Sequence, residues 1–245
     1  MKIALQMYTV RDLLKNGEDL LHALRQVRKL GYDGVEFAGY AGLGAREIKS
    51  MLAETGLEAV ATHESVDRLE NSLDEVLSYS KDIGCSKVVC AYAPIGSRED
   101  LDRLKRTLTF ASARAAKLGI TVLYHNHTHE FRPLNGGRPI DEIKRFCPLE
   151  LDTYWAFDSK VDVCAYLKEN AGQIGLIHLK DGSLDSVPCA IGEGENDIAG
   201  IVATAARLGY GWLIVENDQP VPDGFSDAAR SVAYLRSHYS VFSAR

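Results

Sequence analysis

Hydrophobic positions follow two patterns that alternate along the chain. Short apolar runs rich in β-forming residues predict eight strands, near Ile3–Met7, Gly34–Phe37, Glu58–His63, Lys87–Tyr92, Ile120–His125, Leu149–Asp152, Gly175–Leu179 and Trp212–Glu216. Between these runs, apolar residues recur three and four positions apart, which indicates amphipathic helices. Regular alternation of strands and helices predicts a parallel sheet, and eight rounds predict a closed (β/α)₈ TIM barrel.

The junctions between helices and strands support this interpretation. KLGYDGVEF, LAETGLEAV, AAKLGITVL and ARLGYGWLIV all read as a helix end, a glycine, a short turn and the next strand. A doubly wound open sheet is the competing fold, but the first predicted strand is followed by MYTVRDLLKNGED, which lacks a glycine-rich phosphate loop. Because no linker or low-complexity tract interrupts the pattern, we predict one domain over residues 1–245.

Composition narrows the classes of partner. The chain has 245 residues, 46% of them hydrophobic, and a formal charge of −6, which argues against a general binder of nucleic acid or anionic membrane. It contains no run of about 18 apolar residues, and its N-terminal segment shows no secretory pattern. The five cysteines are scattered, without a CxxC pair, so we expect a reduced, cytoplasmic protein.

Residues whose side chains can bind metals or transfer protons follow the predicted strands. In a TIM barrel, the C-terminal ends of the strands form the rim that carries catalysis. The predicted strand ends carry Glu36, His63, Tyr92, His125–Glu130, Asp152, His178–Lys180 and Glu216. Such a concentration on one rim predicts a functional site there.

Four of these rim residues form a candidate metal site: Glu130, Asp152, His178 and Glu216. They come from four successive rounds and should therefore converge on one side of the barrel mouth. Three carboxylates and one imidazole form an oxygen-rich set that suits Mn²⁺ as the first choice, with Mg²⁺, Co²⁺ or Zn²⁺ as alternatives. Taken singly, each residue also has a structural explanation, as a turn residue, a helix cap or a hydrogen-bonded core histidine.

The segment YHNHTHEF, residues 124–131, holds three of the seven histidines. Strand alternation predicts that His125 and His127 point the same way. A neutral imidazole titrates near working pH, so we predict that His127 faces the substrate as an acid–base group. Glu130 is predicted to bind the metal, with His127 as the alternative fourth ligand, and His125 and His129 are predicted to support the site.

Together, these motifs resemble the xylose-isomerase-like family of TIM-barrel sugar phosphate isomerases and epimerases. The resemblance runs over essentially the whole chain, through LQMYTVRD, GYDGVEFAGY, YHNHTHEFRPLNGG, LDTYWAF, IHLKDG, AIGEGENDI and IVENDQP. It implies that Glu130, Asp152, His178 and Glu216 hold one divalent metal that binds the hydroxyl and carbonyl oxygens of a sugar. The implied activity is metal-dependent isomerisation or epimerisation, by proton abstraction next to a carbonyl through an enediolate.

The resemblance leaves other activities open. The segment HNHTHE resembles that of inosose-dehydratase-like members and of members that eliminate an aglycone from 3-keto-glycosides, so a keto-polyol or 3-keto-glycoside lyase is the alternative. A nuclease of the endonuclease IV branch is a remote alternative, because Trp155 stands where that branch has a further histidine. A non-enzymatic sugar-binding barrel is the last alternative, because it would not need the intact ligand set.

Roles for individual residues follow from this reading. The candidate catalytic residues are Glu36, His127, Lys180 and Glu216. The candidate substrate-binding residues are Tyr8, His63, His125, Tyr154 and Trp155. The expected partner is a sugar or keto-polyol, with no nucleic acid and no membrane, and the sequence leaves homo-oligomerisation open.

Overall fold

A closed barrel of eight parallel strands forms the centre of the computed structural model, which describes residues 1–134, 136–184 and 187–242. The strands in the described residues are β1 (Lys2–Gln6), β2 (Gly34–Phe37), β3 (Glu58–Glu64), β4 (Lys87–Cys90), β5 (Thr121–His125), β6 (Leu149–Asp152), β7 (Ile174–Leu179), β8 (Asp181–Ser183), β9 (Val187–Cys189) and β10 (Trp212–Val215). Strands β1 to β7 follow one another around the barrel, and β10 closes it between β7 and β1. The predicted TIM-barrel fold is confirmed.

Helices connect the strands. The α-helices in the described residues are α1 (Gly17–Leu30), α2 (Ala45–Thr55), α3 (Val66–Asn71), α4 (Leu73–Asp82), α5 (Arg98–Ala116), α6 (Pro139–Ile143), α7 (Thr153–Asp158), α8 (Val163–Glu169), α9 (Ile198–Leu208) and α10 (Gly224–His238). Their apolar faces pack on the outside of the barrel in one continuous core. Within the described ranges, no helix is long and apolar enough to cross a membrane.

The interior of the barrel contains an apolar layer beneath a polar one. The apolar layer consists of Ala4, Val60, Ala61, Val89, Leu123, Leu176 and Ile214. Side chains two positions apart on a strand face the same side, so the next residues along four of these strands also point inward. They are Gln6, His125, His178 and Glu216, all buried. The apolar layer is therefore the floor on which the predicted rim chemistry rests.

Two irregularities in the sheet lie beside buried glutamates. The register between β2 and β3 shifts between Val35 and Glu36, and that between β6 and β7 shifts between Leu149 and Glu150. Such bulges change the direction in which a side chain points and are common next to functional sites. Both glutamates are fully buried inside the barrel.

Some predicted boundaries differ from the structure. Met7 was predicted to end the first strand, but Met7–Leu13 form a 3₁₀ helix, because the side chain of Gln6 accepts the N–H of Tyr8 and turns the chain. The predicted helical segment between the third and fourth strands, with apolar residues from Leu69 to Ile83, forms two helices that are separated at Ser72. Strands β8 and β9 form an antiparallel hairpin that the hydrophobic pattern does not predict.

Asp181 stabilises the loop that follows this hairpin through hydrogen bonds. Its buried carboxylate accepts the backbone N–H groups of Gly192, Gly194 and Asn196. We expect Asp181→Ala to lower the free energy of unfolding by about 2–3 kcal/mol, because three backbone N–H groups, that of Asn196 buried and those of Gly192 and Gly194 partly buried, lose their acceptor. Urea denaturation measures this change. Asp162→Ala, which removes an exposed cap bonded to one N–H, should cost about 1 kcal/mol, and equal losses for the two variants would contradict the prediction.

Candidate functional site

Four buried side chains converge at the C-terminal end of the barrel: His125, Asp152, His178 and Glu216. The first three lie on β5, β6 and β7, and Glu216 directly follows β10. One ligand atom from each lies within 4.8 Å of the others. We call this group the metal cluster, because its donor atoms are close enough to share one cation.

Several atoms of the metal cluster have no hydrogen-bond partner among the described residues. They are both ring nitrogens of His125 and Oδ2 of Asp152. His125 Nε2 and Asp152 Oδ2 are 3.5 Å apart, and His178 Nδ1 and Glu216 Oε2 are 3.4 Å apart. An ion about 2.1 Å from each ligand keeps neighbouring ligand atoms roughly 3.0–3.5 Å apart. The cluster therefore fits a divalent metal, since buried polar atoms without partners are otherwise costly.

Asp152 is held in place from two directions. Its Oδ1 accepts the N–H groups of Tyr154 and Trp155, both at 2.9 Å, and so caps helix α7. The side-chain amide of Asn126 pairs with the backbone N–H and C=O of Asp152. These contacts leave Oδ2 directed at the cluster.

His178 is oriented by Glu36, on the side of the ring away from Glu216. His178 Nε2 lies 2.5 Å from Glu36 Oε2, which also accepts a hydrogen bond from Gln6. A ligating histidine commonly donates its second ring N–H to a carboxylate in this way. Burial alone would lower the pKa of His178, but the carboxylates of Glu150 and Glu36 outweigh burial and raise it well above its usual value. The site therefore stabilises positive charge at this ring.

Glu150 joins Glu36 beneath the metal cluster. Its Oε2 lies 2.6 Å from His63 Nε2 and 3.1 Å from His178 Nε2. Burial and the charge of Glu36 raise the pKa of Glu150 well above its usual value. Burial would also raise the pKa of Glu36, but the charges of His63 and His178 outweigh it and lower that pKa to about 2. Glu36 is therefore the charged member of this pair.

These contacts indicate that Glu36 orients His178, whereas the sequence predicts a catalytic role for Glu36. We expect Glu36→Gln to lower metal affinity about 10- to 100-fold, because His178 loses the carboxylate that orients it. Isothermal titration with Mn²⁺ measures the affinity. Glu64→Gln is the matched control, since Glu64 is also buried at the end of β3 but pairs with Arg68. Unchanged affinity in Glu36→Gln would contradict this role.

Lys180 neutralises part of the acidic site. Its fully buried ammonium contacts Asp218 and lies 3.2 Å from Glu216 Oε2 and 3.6 Å from Asp152 Oδ2. Burial would lower the pKa of Lys180, but these carboxylates outweigh it and raise the pKa. The ammonium also lies 4.6 Å from the ring centroid of Trp155. Lys180 therefore remains charged and holds Glu216 in place.

Glu130 does not join the other three predicted ligands. Its Oε1 accepts the hydroxyl of Tyr124 at 2.6 Å, and its Oε2 accepts the N–H of His127 at 2.7 Å. Both oxygens are occupied because the chain turns into a short 3₁₀ helix, His129–Phe131, directly after β5. His125 takes the place in the cluster that the sequence assigned to Glu130.

The other two histidines of the segment lie beside the cluster. His127 lies at the cavity wall, and its ring centroid is 4.9 Å from that of His125. Burial, followed by the charge of His125, lowers the pKa of His127 to about 3, so its imidazole is neutral. The ring of His129 bonds the backbone of Ala93 at 2.9 Å. His127 thus lies on the cavity wall, and its acid–base role stays a prediction, whereas His129 supports the loop.

A cavity of about 650 Å³ opens above the metal cluster. His125, Glu216 and Asp218 form its polar wall, and Tyr8 and His63 also line it. Of the other predicted pocket residues, Tyr154 does not reach the cavity, since it is fully buried and its hydroxyl donates to the carbonyl of Ser183. The ring of Trp155 packs against the ammonium of Lys180 and does not line the cavity. Lys180 and Glu36 also lie beneath the cavity surface.

Sequence reasoning missed two members of the site, Glu150 and Asp218. Strand alternation would have placed Glu150 on the same face as Asp152, two positions later. Asp218 lies beyond the strand in the loop ENDQP, where no periodic signal indicates which side chain turns inward.

Comparison with known proteins gives the family. The model of the family described as "Xylose isomerase-like TIM barrel" matches residues 24–238. This chain belongs to that family. No curated protein matches the chain significantly.

Solved structures of similar fold include two members named for sugar chemistry. A sugar phosphate isomerase/epimerase from Parabacteroides distasonis is 23% identical with a TM-score of 0.82, and 97% of this chain aligns with 94% of that one. An L-ribulose 3-epimerase is 18% identical with a TM-score of 0.75, over 96% and 93% of the two chains. A probable 3-DHS dehydratase from Bacillus anthracis is 13% identical with a TM-score of 0.79, over 98% and 100%. These likenesses show a shared fold.

Proposed function

We propose that this protein is a divalent-metal-dependent sugar isomerase or epimerase that removes the proton next to a carbonyl. One observation carries the proposal: buried ligand atoms of His125 and Asp152, which have no hydrogen-bond partner among the described residues, converge with His178 and Glu216 at the floor of the cavity. A buried arrangement of this kind is costly unless it binds something. The isomerase and epimerase names of the structural relatives support the same reaction class.

The donor set indicates which cations fit. Two imidazoles and two carboxylates form a softer set than the three carboxylates and one imidazole predicted from the sequence. Mn²⁺ stays our first choice, and Co²⁺ and Zn²⁺ fit better than Mg²⁺, because imidazole favours the transition metals. Bound there, the cation would polarise the substrate carbonyl and stabilise negative charge on its oxygen.

Glu216 is the proposed base. It lines the cavity. Burial would raise the pKa of Glu216, but the charge of Lys180 and the hydrogen bond and charge of His178 outweigh burial and lower that pKa well below its usual value. An ionised carboxylate at this point can accept the proton from the carbon next to the carbonyl. The same carboxylate can return the proton to the neighbouring carbon, and transfer of the hydroxyl proton between the two adjacent oxygens then completes the isomerisation of the sugar.

His127 is the proposed second proton-transfer group. Its imidazole lies on the cavity wall, and burial lowers its pKa to about 3, away from the working pH that the sequence reading assumed. The neutral ring can still relay a proton, by taking one up at one ring nitrogen as it releases one from the other. Delivery to the face opposite Glu216 would epimerise the carbon. Delivery to a departing β-hydroxyl would instead give dehydration, and the fold likeness to a probable dehydratase supports this second candidate. The two outcomes use the same first proton transfer and differ in product.

The test is proton exchange. Protein loaded with Mn²⁺ or Zn²⁺ is incubated in D₂O with a panel of ketoses and 3-keto sugars, and NMR follows deuterium at the carbon next to the carbonyl. We expect incorporation that a chelator stops and that Glu216→Gln abolishes. Product spectra distinguish isomer, epimer and dehydrated sugar. Absence of incorporation with every compound, or unchanged rates in Glu216→Gln, would refute the proposal.

The nuclease alternative has its own test. The charge of −6 opposes DNA binding, and Trp155 occupies the position where the endonuclease IV branch has a histidine. Metal-loaded protein is therefore expected to leave abasic-site DNA intact at low salt. Efficient cleavage that Glu216→Ala removes would replace the sugar proposal.

A further inference from the structure

The two halves of the barrel mouth differ in chemistry. Strands β5, β6, β7 and β10 supply the metal cluster. The segments that follow β1, β2, β3 and β4 supply the opposite wall, which we call the apolar shelf. It consists of Tyr8, Ala38, Val66, Tyr92 and Pro94. One cavity thus joins a cation site to an apolar surface.

The shelf is wide and open. Tyr8 is 43% exposed and Tyr92 is 50% exposed, although both line the cavity. The ring of Tyr92 lies at the edge of His127, with centroids 5.3 Å apart, so the shelf begins directly beside a proposed catalytic group. Exposed aromatic side chains in a concave site commonly bind the apolar part of a ligand.

The size of the cavity exceeds that of a simple sugar. At about 30 Å³ per water molecule, 650 Å³ corresponds to roughly 20 non-hydrogen atoms, whereas a hexose has about twelve. The remaining space is comparable to a six-membered ring with a linking atom. The shelf residues line the same cavity as His125 and Glu216, so this space borders the shelf.

Charge at the shelf opposes an anionic substituent. Among the described residues, no lysine or arginine lines the cavity, whereas Glu64, Asp67, Glu216 and Asp218 do. The basic groups that contact the lining residues are already paired. Arg11 donates to the carbonyls of Tyr8 and Asp218, and Arg68 pairs with Glu64. Lys180 is buried among carboxylates. A phosphate group would therefore meet repulsion and no bidentate partner.

We propose that the apolar shelf binds an uncharged aryl or alkyl substituent of the substrate, so that the enzyme acts on a substituted sugar and not on a sugar phosphate. This inference rests on the proposed function, in which the sugar end binds at the metal cluster. The substituent lies against Tyr8, Val66 and Tyr92, and the polyol faces His127 and Glu216.

Binding of inert probes tests the shelf without turnover. Isothermal titration compares phenyl β-D-glucopyranoside, methyl β-D-glucopyranoside and D-glucose 6-phosphate on the Zn²⁺-loaded protein. We expect the phenyl probe to bind about tenfold more tightly than the methyl probe, as burial of about 60 Å² more apolar surface predicts. The phosphate should bind most weakly. Saturation-transfer NMR should show the aromatic protons in contact with the protein.

Variants locate the effect. Tyr92→Ala should reduce the phenyl preference to about twofold, because the aromatic face is lost. Phe110→Ala, which removes a 64% exposed ring on α5, is the matched control and should leave the preference unchanged. Equal affinity for the two glucosides, no binding of either at millimolar concentration, or tighter binding of the phosphate would overturn the proposal. Because no catalysis is measured, a failure of the shelf is distinguishable from a failure in the deuterium experiment.

Discussion

Asp152→Asn is expected to lower metal affinity by more than about 100-fold and to abolish turnover. Loss of a residue that only orients a metal ligand costs up to about 100-fold, and loss of a ligand should cost more. Asparagine keeps the oxygen that caps helix α7, where Asp152 Oδ1 accepts two N–H groups at 2.9 Å. It replaces Oδ2, the atom directed at the cluster and without a hydrogen-bond partner in the part of the chain that the structure describes, with an uncharged donor that cannot bind a cation. The substitution thus separates binding from folding.

Metal content after dialysis and titration with Mn²⁺ measure the effect of this change. Circular dichroism should show an unchanged fold in the metal-free protein. Asp162→Asn is the matched control, because Asp162 caps the neighbouring helix α8 through a bond to the N–H of Ala165 but lies outside the cluster. Full metal occupancy in Asp152→Asn would remove Asp152 from the ligand set.

The barrel was predictable because its signal is repeated. Each round has an apolar strand and a helical segment, and a glycine ends several of the helices, so an error at one boundary does not change the count. The hairpin of β8 and β9 gave no such signal, since DGS and VPC are short and contain little alternation. Its position is set by tertiary contacts, among them those of Asp181 with the following loop.

Three members of the metal cluster were predictable from strand periodicity. His178 lies within β7, Asp152 ends β6 and Glu216 directly follows β10, so the direction of their side chains follows from their neighbours. Glu150 obeys the same rule and was overlooked because a carboxylate deep in a strand looks unfavourable. Only the structure supplies the neighbouring His63, which offsets that cost.

Glu130 lies where periodicity stops. Strand β5 ends at His125, and the chain then turns so that the carboxylate bonds Tyr124 and His127. A sequence shows that a carboxylate follows a strand by five positions, but not which way a loop turns it. His125 is the last residue of β5, so strand alternation still determines the direction of its side chain, which points into the cluster.

Two substitutions in this segment should have opposite effects, and the contrast decides between His125 and Glu130 as the fourth ligand. His125→Phe keeps a ring of similar shape and removes two buried nitrogens that have no partner among the described residues. We expect it to lower metal affinity by more than about 100-fold without destabilising the metal-free protein, because no hydrogen bond is lost. Glu130→Gln keeps one acceptor for the Tyr124 hydroxyl but sets an amide donor against the N–H of His127.

Glu130→Gln is therefore expected to leave metal affinity nearly unchanged and to lower the free energy of unfolding by about 1–3 kcal/mol. Titration with Mn²⁺ and urea denaturation of the metal-free protein measure both quantities for both variants. The two effects are independent because one residue faces the cation site and the other holds the turn after β5. If Glu130→Gln loses the metal while His125→Phe retains it, the ligand set predicted from the sequence is correct, and the turn must rearrange when the cation binds.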